Sequence, residues 1–135
     1  DFGPDTRQRL GTVIATPSKA RNPIDIYPDM NVHGFEKTCL EIMKALLADE
    51  NVHGVLFILF ANETISQYVP LADLVVATAG KPVMFSLIGA EPDFLPTRNY
   101  FYSRRLPCFT QPEHAVTVFA HMRAYAQRFR ADMDG

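Results

Sequence analysis

Hydrophobic and polar positions along the chain follow two patterns, one typical of helices and one typical of buried strands. Over residues 34–49, apolar side chains such as Phe35, Ile42 and Leu46 recur at helical spacing with charged residues between them. This spacing predicts an amphipathic helix that ends at Asp49. Residues 55–60 are apolar without interruption, which predicts a strand buried on both faces of a parallel sheet.

The same alternation continues to the end of the chain. It predicts a helix over 65–79, a strand over 82–88, a helix over 94–105 and a short strand over 106–109. A capping box at residues 110–113, with Thr at its first position and Glu at its last, predicts the start of a final helix. That helix carries a stripe predicted to be buried: Ala115, Val118, Phe119, Met122, Ala126 and Phe129.

Alternating strands and helices predict an α/β fold in three layers, with a parallel sheet between helices. A doubly wound sheet normally opens with a long apolar strand and a Gly-rich turn. No such strand precedes residue 24, so we expect a single domain over 1–135 that lacks its first strand and is a fragment of a larger chain. The opening segment, 1–30, is expected to be irregular, with a short helix over 5–10 and a short edge strand over 24–27.

Composition narrows the possible classes of protein. The 135 residues are 47% apolar and 21% charged, which is typical of a globular domain that needs neither disulfides nor a metal. A net charge of −2 argues against nucleic acid as a partner. The longest apolar run, 55–61, is too short to span a bilayer, and no signal peptide opens the chain. We therefore expect a cytoplasmic protein with no membrane partner, in which Cys39 and Cys108 are buried and reduced.

Candidate chemistry is sparse. Dinucleotide, P-loop and nucleophile-elbow motifs are missing, so Ser86 is expected to be a packing residue, and the four histidines are expected to be solvated or capping. We expect no metal site and no catalytic residue. The loop after strand 55–60 is the best candidate site, because ligands bind beyond the carboxyl ends of parallel strands. There, Asn62 and Thr64 could cap the next helix or bind an anion.

A second candidate is the basic and aromatic segment around residues 98–105. Arg98, Arg104 and Arg105 alternate with aromatic residues, an arrangement that can bind nucleotides. The alternative is that the aromatic side chains are core and the arginines form a solvated last turn.

Six short segments along the chain, taken together and in this order, resemble a known family. They are Asn22-Pro23-Ile24-Asp25, Leu46-Leu47-Ala48-Asp49, Val52 to Ile58, Gly80-Lys81-Pro82-Val83, Leu106-Pro107-Cys108-Phe109 and Pro112 to Val116. Over about residues 5–126 they resemble the succinyl-CoA-ligase-like flavodoxin domain of the ADP-forming (NDP-forming) acyl-CoA synthetases.

The resemblance implies a flavodoxin-like fold and a place in an enzyme that converts an acid, CoA and ATP to acyl-CoA, ADP and phosphate. It implies ATP, Mg and CoA as cofactors of the full-length enzyme, with none bound by this chain. The chain itself would dock on a phosphohistidine domain, its partners being other domains or subunits of the ligase, and it would be inactive alone. Asn62 and Thr64 would face the phosphoryl group, and Asn22, Pro23 and Asp25 would order the neighbouring turn. Two glycines stand in the succinyl-CoA branch where this chain has Ala61 and Asn62.

The resemblance also predicts where the missing strand belongs. In a flavodoxin-like order it would lie beside residues 55–60, which leaves an uncovered sheet edge there. A second copy of the chain, the segment 10–16 or an upstream fragment could fill the gap, and we expect self-association. An alternative reading of the whole chain is a stand-alone flavodoxin-like module for protein interaction or small-ligand binding.

Overall fold

The structure, a computed structural model, describes residues 1–16, 19–61, 64–78 and 80–133. Their main elements are α-helices, a 3-10 helix and β-strands. In chain order they are α1 (Pro4–Leu10), α2 (Tyr27–His33), α3 (Phe35–Ala48), β1 (Val55–Phe60), the 3-10 helix (Ile65–Tyr68), α4 (Val69–Ala77), β2 (Val83–Ile88), α5 (Glu91–Ser103), β3 (Cys108–Phe109) and α6 (Pro112–Met133).

The three strands form one parallel sheet in the order β1-β2-β3. The Val55 N–H donates to the Pro82 carbonyl at one end of β1 and β2, and the Ala61 N–H donates to the Ile88 carbonyl at the other end. Residue numbers rise in the same direction along both strands, as parallel pairing requires. In the β2–β3 pair, Phe85 lies opposite Cys108. The parallel sheet and its alternating helices confirm the α/β class and are consistent with a flavodoxin-like fold.

The residues divide into two compact units, which we describe separately. Residues 1–55 and 64–82 form the helical unit, and residues 56–63 and 83–135 form the sheet unit. The expectation of a single domain stays a prediction.

In the helical unit, α3 packs against α1, α2 and α4. Its buried face carries Cys39, Ile42 and Met43, at the spacing that the sequence pattern predicts. Val13 and Ile14, from the turn after α1, are also fully buried. The helix predicted over 5–10 is confirmed as α1.

In the sheet unit, α5 and α6 pack against β2 and β3. The core is aromatic: the rings of Phe85 and Phe101 stack with their centroids 4.3 Å apart, and Phe57 lies 6.3 Å from Phe85 on the same centroid measure. The Tyr102 hydroxyl donates a 3.0 Å hydrogen bond to the Cys108 carbonyl, which ties α5 to β3.

The edge strand predicted over 24–27 is wrong. Residues 24–26 have no regular structure, and Tyr27 is the first residue of α2. The Asp25 carboxylate accepts a 3.2 Å hydrogen bond from the Tyr27 N–H, an Asx turn that favours the start of a helix. Pro28, in the first helical turn, acts in the same direction because its fixed φ suits that position.

The prediction that α6 buries its whole apolar stripe is also wrong. Ala115 is fully buried and Val118 and Phe119 are half-buried, but Met122 and Phe129 are exposed. The spacing of apolar residues marks one face of a helix, whereas burial also requires a neighbour along the whole length of that face.

Candidate functional site

The carboxyl ends of β1 and β2 lie side by side at the edge where the sequence places a site. The Ala61 N–H donates a 2.7 Å hydrogen bond to the Ile88 carbonyl. Gly89, with φ +145°, follows directly, and a Cβ atom added there would lie 3.5 Å from the Ala61 Cβ. The turn after β2 therefore passes close to the Ala61 methyl group.

Asn62 and Thr64 are the two residues predicted to face a phosphoryl group. Asn62 lies outside the described residues. Thr64 is exposed and directly precedes the 3-10 helix, and its side chain makes no capping hydrogen bond. Its carbonyl accepts a 3.3 Å hydrogen bond from the Gln67 N–H. The capping alternative is therefore wrong for Thr64, and its role toward an anion stays a prediction.

The helix predicted over 65–79 is two elements. A 3-10 helix of four residues comes first, and α4 begins only at Val69. Tyr68, the residue that precedes α4, is fully buried. Pro70 falls in the first turn of α4, as the sequence requires, but it has no N–H to offer a ligand.

The charges of this segment do not favour an anion. Residues 61–78 contain no Lys, Arg or His, while they include Glu63 and Asp73. Among the described residues, a phosphoryl group placed here would find the backbone amides of a single 3-10 turn and the exposed side chains of Thr64 and Ser66. These residues are therefore a poor fit for holding a phosphate by themselves.

The Asn22-Pro23-Ile24-Asp25 segment forms an exposed turn of the helical unit. The peptide bond between Asn22 and Pro23 is cis. The hydrogen bond from the Tyr27 N–H to the Asp25 carboxylate connects this turn to α2. The functional role assigned to Asn22, Pro23 and Asp25 stays a prediction.

Sequence reasoning missed a polar cluster around Asp49. Its carboxylate accepts hydrogen bonds from the N–H groups of Gly3, at 2.8 Å, and Asn51, at 2.9 Å. A hydrogen bond from the Thr6 hydroxyl, these two N–H groups and the charge of Lys81 lower the pKa of Asp49. The carboxylate thus joins the start of α1 to the end of α3.

Lys81 completes this cluster. Its ammonium group donates to the backbone carbonyl of Asp49 and, at 3.4 Å, to that of Leu46. Carbonyls in the last turn of a helix have no partner within the helix, so a cation there stabilises the helix end. Two of the family-like segments, 46–49 and 80–83, therefore meet in this structural contact. The sequence did hold a signal for this contact: Asp49 ends a predicted helix, and Lys81 directly precedes a predicted strand.

The basic segment on α5 has mainly structural contacts. The Phe101 ring is buried against Phe85, as the core interpretation predicts. The Arg98 guanidinium lies 5.7 Å from the centre of the exposed Tyr102 ring, a cation–π geometry. Arg104 and Arg105 are exposed in the turn that directly follows α5.

The two thiols and the Ser86 hydroxyl are buried, which keeps them from reacting with a substrate. Cys39 and Cys108 are buried and free, and burial raises the pKa of each thiol to about 12. Ser86 is fully buried in β2, in agreement with a packing role. Within the described part of the chain, no group of His, Cys, Asp and Glu could hold a metal ion, and no helix is long and apolar enough to cross a membrane.

Comparison with known proteins gives one informative match. The chain is 27% identical over 128 residues to the acetate–CoA ligase (ADP-forming) II of Archaeoglobus fulgidus. The chain is a distant relative of one part of that ligase. The aligned region takes in 95% of this chain but only 19% of the ligase. No family model matches the chain, and no solved structure matches it. The match supports the resemblance to ADP-forming acyl-CoA ligases at the level of the family.

Proposed function

We propose that this chain is a docking domain of an ADP-forming acyl-CoA ligase and that it contributes no catalytic residue. The observation that carries the proposal is the alignment of 95% of the chain with part of an ADP-forming acetate–CoA ligase. The domain would dock on a phosphohistidine domain of the same cytoplasmic enzyme. ATP, Mg²⁺ and CoA would be bound by the other domains.

The surroundings of the chemically capable side chains favour a non-catalytic role. A nucleophile or general base must be reachable by substrate, but both thiols and the Ser86 hydroxyl are buried. The loop at 61–64 brings no cation that could neutralise a phosphate. The contribution left to this loop is a set of backbone and side-chain hydrogen bonds to a group held mainly by another domain.

The first test is the activity of the isolated chain. We expect the purified 135 residues to form no acyl-CoA from acetate, CoA and Mg·ATP, while the full-length protein forms it under the same conditions. Thioester formation by the isolated chain would contradict the proposal.

The second test separates docking from phosphate contact. In the full-length protein, replacing both Asn62 and Thr64 by Ala should slow histidine phosphorylation roughly tenfold or more, because hydrogen bonds to the phosphoryl group are lost. Ser66→Ala is a matched control, since Ser66 is exposed on the same 3-10 helix. An unchanged phosphorylation rate in the double variant would exclude the phosphate contact. If the domains still associated in that variant, docking without contact to the phosphoryl group would be the remaining role.

The alternative, a stand-alone module, predicts a different endogenous protein. An endogenous polypeptide of 15.2 kDa on an immunoblot would favour the module. A much larger polypeptide would favour the ligase.

A further inference from the structure

We propose that the exposed half of α6, residues 120–129, is the surface through which this domain docks on another domain of the same polypeptide. This role rests on the ligase function proposed above and names the surface that the docking uses. The partner surface that fits it is apolar at its centre and acidic at its rim.

The apolar stripe of α6 continues beyond the part of the helix that is covered. The helix packs against β2 and β3, and Ala115, near its start, is fully buried. Every residue from 120 to 129 is exposed. At 3.6 residues per turn, Met122, Tyr125 and Phe129 lie on the same side of the helix as Ala115. One side of α6 is therefore core at one end and an uncovered apolar surface at the other.

The uncovered surface is mainly aromatic. Tyr125 is 72% exposed and Phe129 is 55% exposed. Their rings stack with centroids 6.2 Å apart and 17° between the ring planes, so they present one continuous surface. Aromatic residues and Met are enriched in the cores of protein interfaces. An exposed group of such side chains therefore marks an interaction site.

The charges beside this surface are positive. Arg123 and Arg128 are exposed and, at 3.6 residues per turn, lie on opposite edges of the apolar stripe. Residues 114–129 contain no Asp or Glu, although the whole chain has a net charge of −2. An acidic rim on the partner would complement both arginines, whereas a second copy of α6 would bring arginines close to arginines. Charge therefore favours an acidic partner over self-association.

A membrane surface fits this helix less well. A helix that lies in a membrane interface has a strongly charged or polar side opposite its apolar side. In α6 the opposite side carries Ala120, Ala124 and Gln127. The arginines within 120–129 are Arg123 and Arg128, and each would add only about 1 kcal/mol of attraction to anionic lipid.

The size of the surface favours a partner on the same polypeptide. Three side chains present on the order of a few hundred Å² of apolar area, whereas a stable interface between separate proteins typically buries about 1,200–2,000 Å² in total. A tethered domain needs less area, because its linker holds it at an effective concentration in the millimolar range. The aligned region is only 19% of the related ligase, so that protein has further chain in which such a domain can lie.

Hydroxyl-radical footprinting of the full-length protein tests this surface, with mass spectrometry to assign each tyrosine. Exposure within this chain alone would make Tyr125 the fastest to react, ahead of Tyr27 and Tyr102, which are 56% and 53% exposed, with the buried Tyr68 slowest. Docking reverses this order. Tyr125 should react at least about fivefold more slowly than the faster of Tyr27 and Tyr102, because the core of an interface excludes water.

Charge reversal tests the chemistry of the partner. The double variant Arg123→Glu and Arg128→Glu should raise the reaction rate of Tyr125 at least about threefold in the full-length protein, because negative charges would then face an acidic rim. Arg105→Glu is a matched control, since Arg105 is exposed beyond α5, and it should leave the rate unchanged. The protection of Tyr125 should not depend on protein concentration, because the partner is tethered.

The outcomes separate this surface from the ligase function. Rapid reaction of Tyr125 in a full-length protein that forms acyl-CoA would overturn the docking surface and leave the ligase function in place. Protection of Tyr125 in a full-length protein that forms no acyl-CoA would support docking through α6 and count against the ligase function.

Three further results would also overturn the proposal. Protection of Tyr125 that rises with protein concentration would show that a second copy covers α6. Protection that requires added vesicles of anionic phospholipid would show a membrane surface instead. Protection that the double arginine variant leaves unchanged would exclude an acidic partner.

Discussion

The two units of the molecule are stabilised in different ways. The helical unit contains an irregular stretch over 20–26, and it uses carboxylates to satisfy backbone N–H groups. Asp49 accepts from Gly3 and Asn51, and the buried Asp29 accepts from Ala15 at 3.0 Å. The sheet unit satisfies its backbone mainly within strands and helices, and its core consists of stacked rings. Buried N–H groups that lie outside helices and strands need side-chain acceptors. The stability of the helical unit therefore depends on ionised carboxylates.

The largest expected effect lies in the sheet unit. Phe85→Ala should lower the free energy of unfolding by about 3–5 kcal/mol, because it removes a fully buried ring that stacks on Phe101. Urea denaturation measures this change. Val116→Ala, an exposed position on α6, should alter the same free energy by less than about 0.5 kcal/mol. A loss below about 1 kcal/mol for Phe85→Ala would contradict an aromatic core.

The helical unit should be sensitive to acid. Since the pKa of Asp49 is lowered in the folded state, its carboxylate stabilises the fold above the ordinary carboxyl pKa, and this contribution is lost as the pH falls below that value. Asp49→Asn should therefore reduce the urea midpoint at pH 6 and flatten its decline between pH 6 and pH 3. Glu50→Gln, an exposed neighbour, should keep the wild-type profile. An unchanged profile in Asp49→Asn would show that the Asp49 cluster does not stabilise the unit.

The two cysteines allow each unit to be followed separately. Cys39 lies in the helical unit and Cys108 in the sheet unit, and both thiols have a pKa of about 12 because of burial. At pH 8 both should react with a disulfide reagent at least on the order of a hundredfold more slowly than in urea, since reaction requires opening. Asp49→Asn should accelerate labelling of Cys39 more than Cys108, and Phe85→Ala should do the reverse. Mass spectrometry distinguishes the sites, and equal acceleration would contradict separate stabilisation.

The smallest effect is expected on the exposed half of α6. Met122→Ser should change the free energy of unfolding by less than about 1 kcal/mol, because this side chain is 45% exposed. Ala115→Leu, at the buried start of the same stripe, should cost about 1–3 kcal/mol through overpacking. Thermal and urea melts compare the two variants, and equal losses would restore the prediction of a uniformly buried stripe.

Local patterns predicted the regular elements well. Uninterrupted apolar residues marked β1 over 55–60 and β2 to within one residue. The prediction that β1 is buried on both faces is wrong, because Ile58 and Phe60 on one of its faces are exposed. The segment 24–27 was misassigned because its alternating apolar residues outweighed Asp25, whose carboxylate starts a helix. The site was predicted less well, since the sequence predicted one helix after β1 where the chain forms a 3-10 turn and then α4.

The sequence by itself determined the α/β class, the order of the elements from α3 onward and the apolar character of β1, because these follow from residue spacing within about ten positions. The tertiary structure alone decided which polar groups meet and which apolar faces are covered. The Gly3 N–H and the Asp49 carboxylate are 46 residues apart in sequence, and no local pattern pairs them. The stripe of α6 has the same periodicity at Ala115 and at Met122, yet one side chain is buried and the other is exposed. Burial depends on which neighbour the fold supplies, and periodicity carries no information about that neighbour.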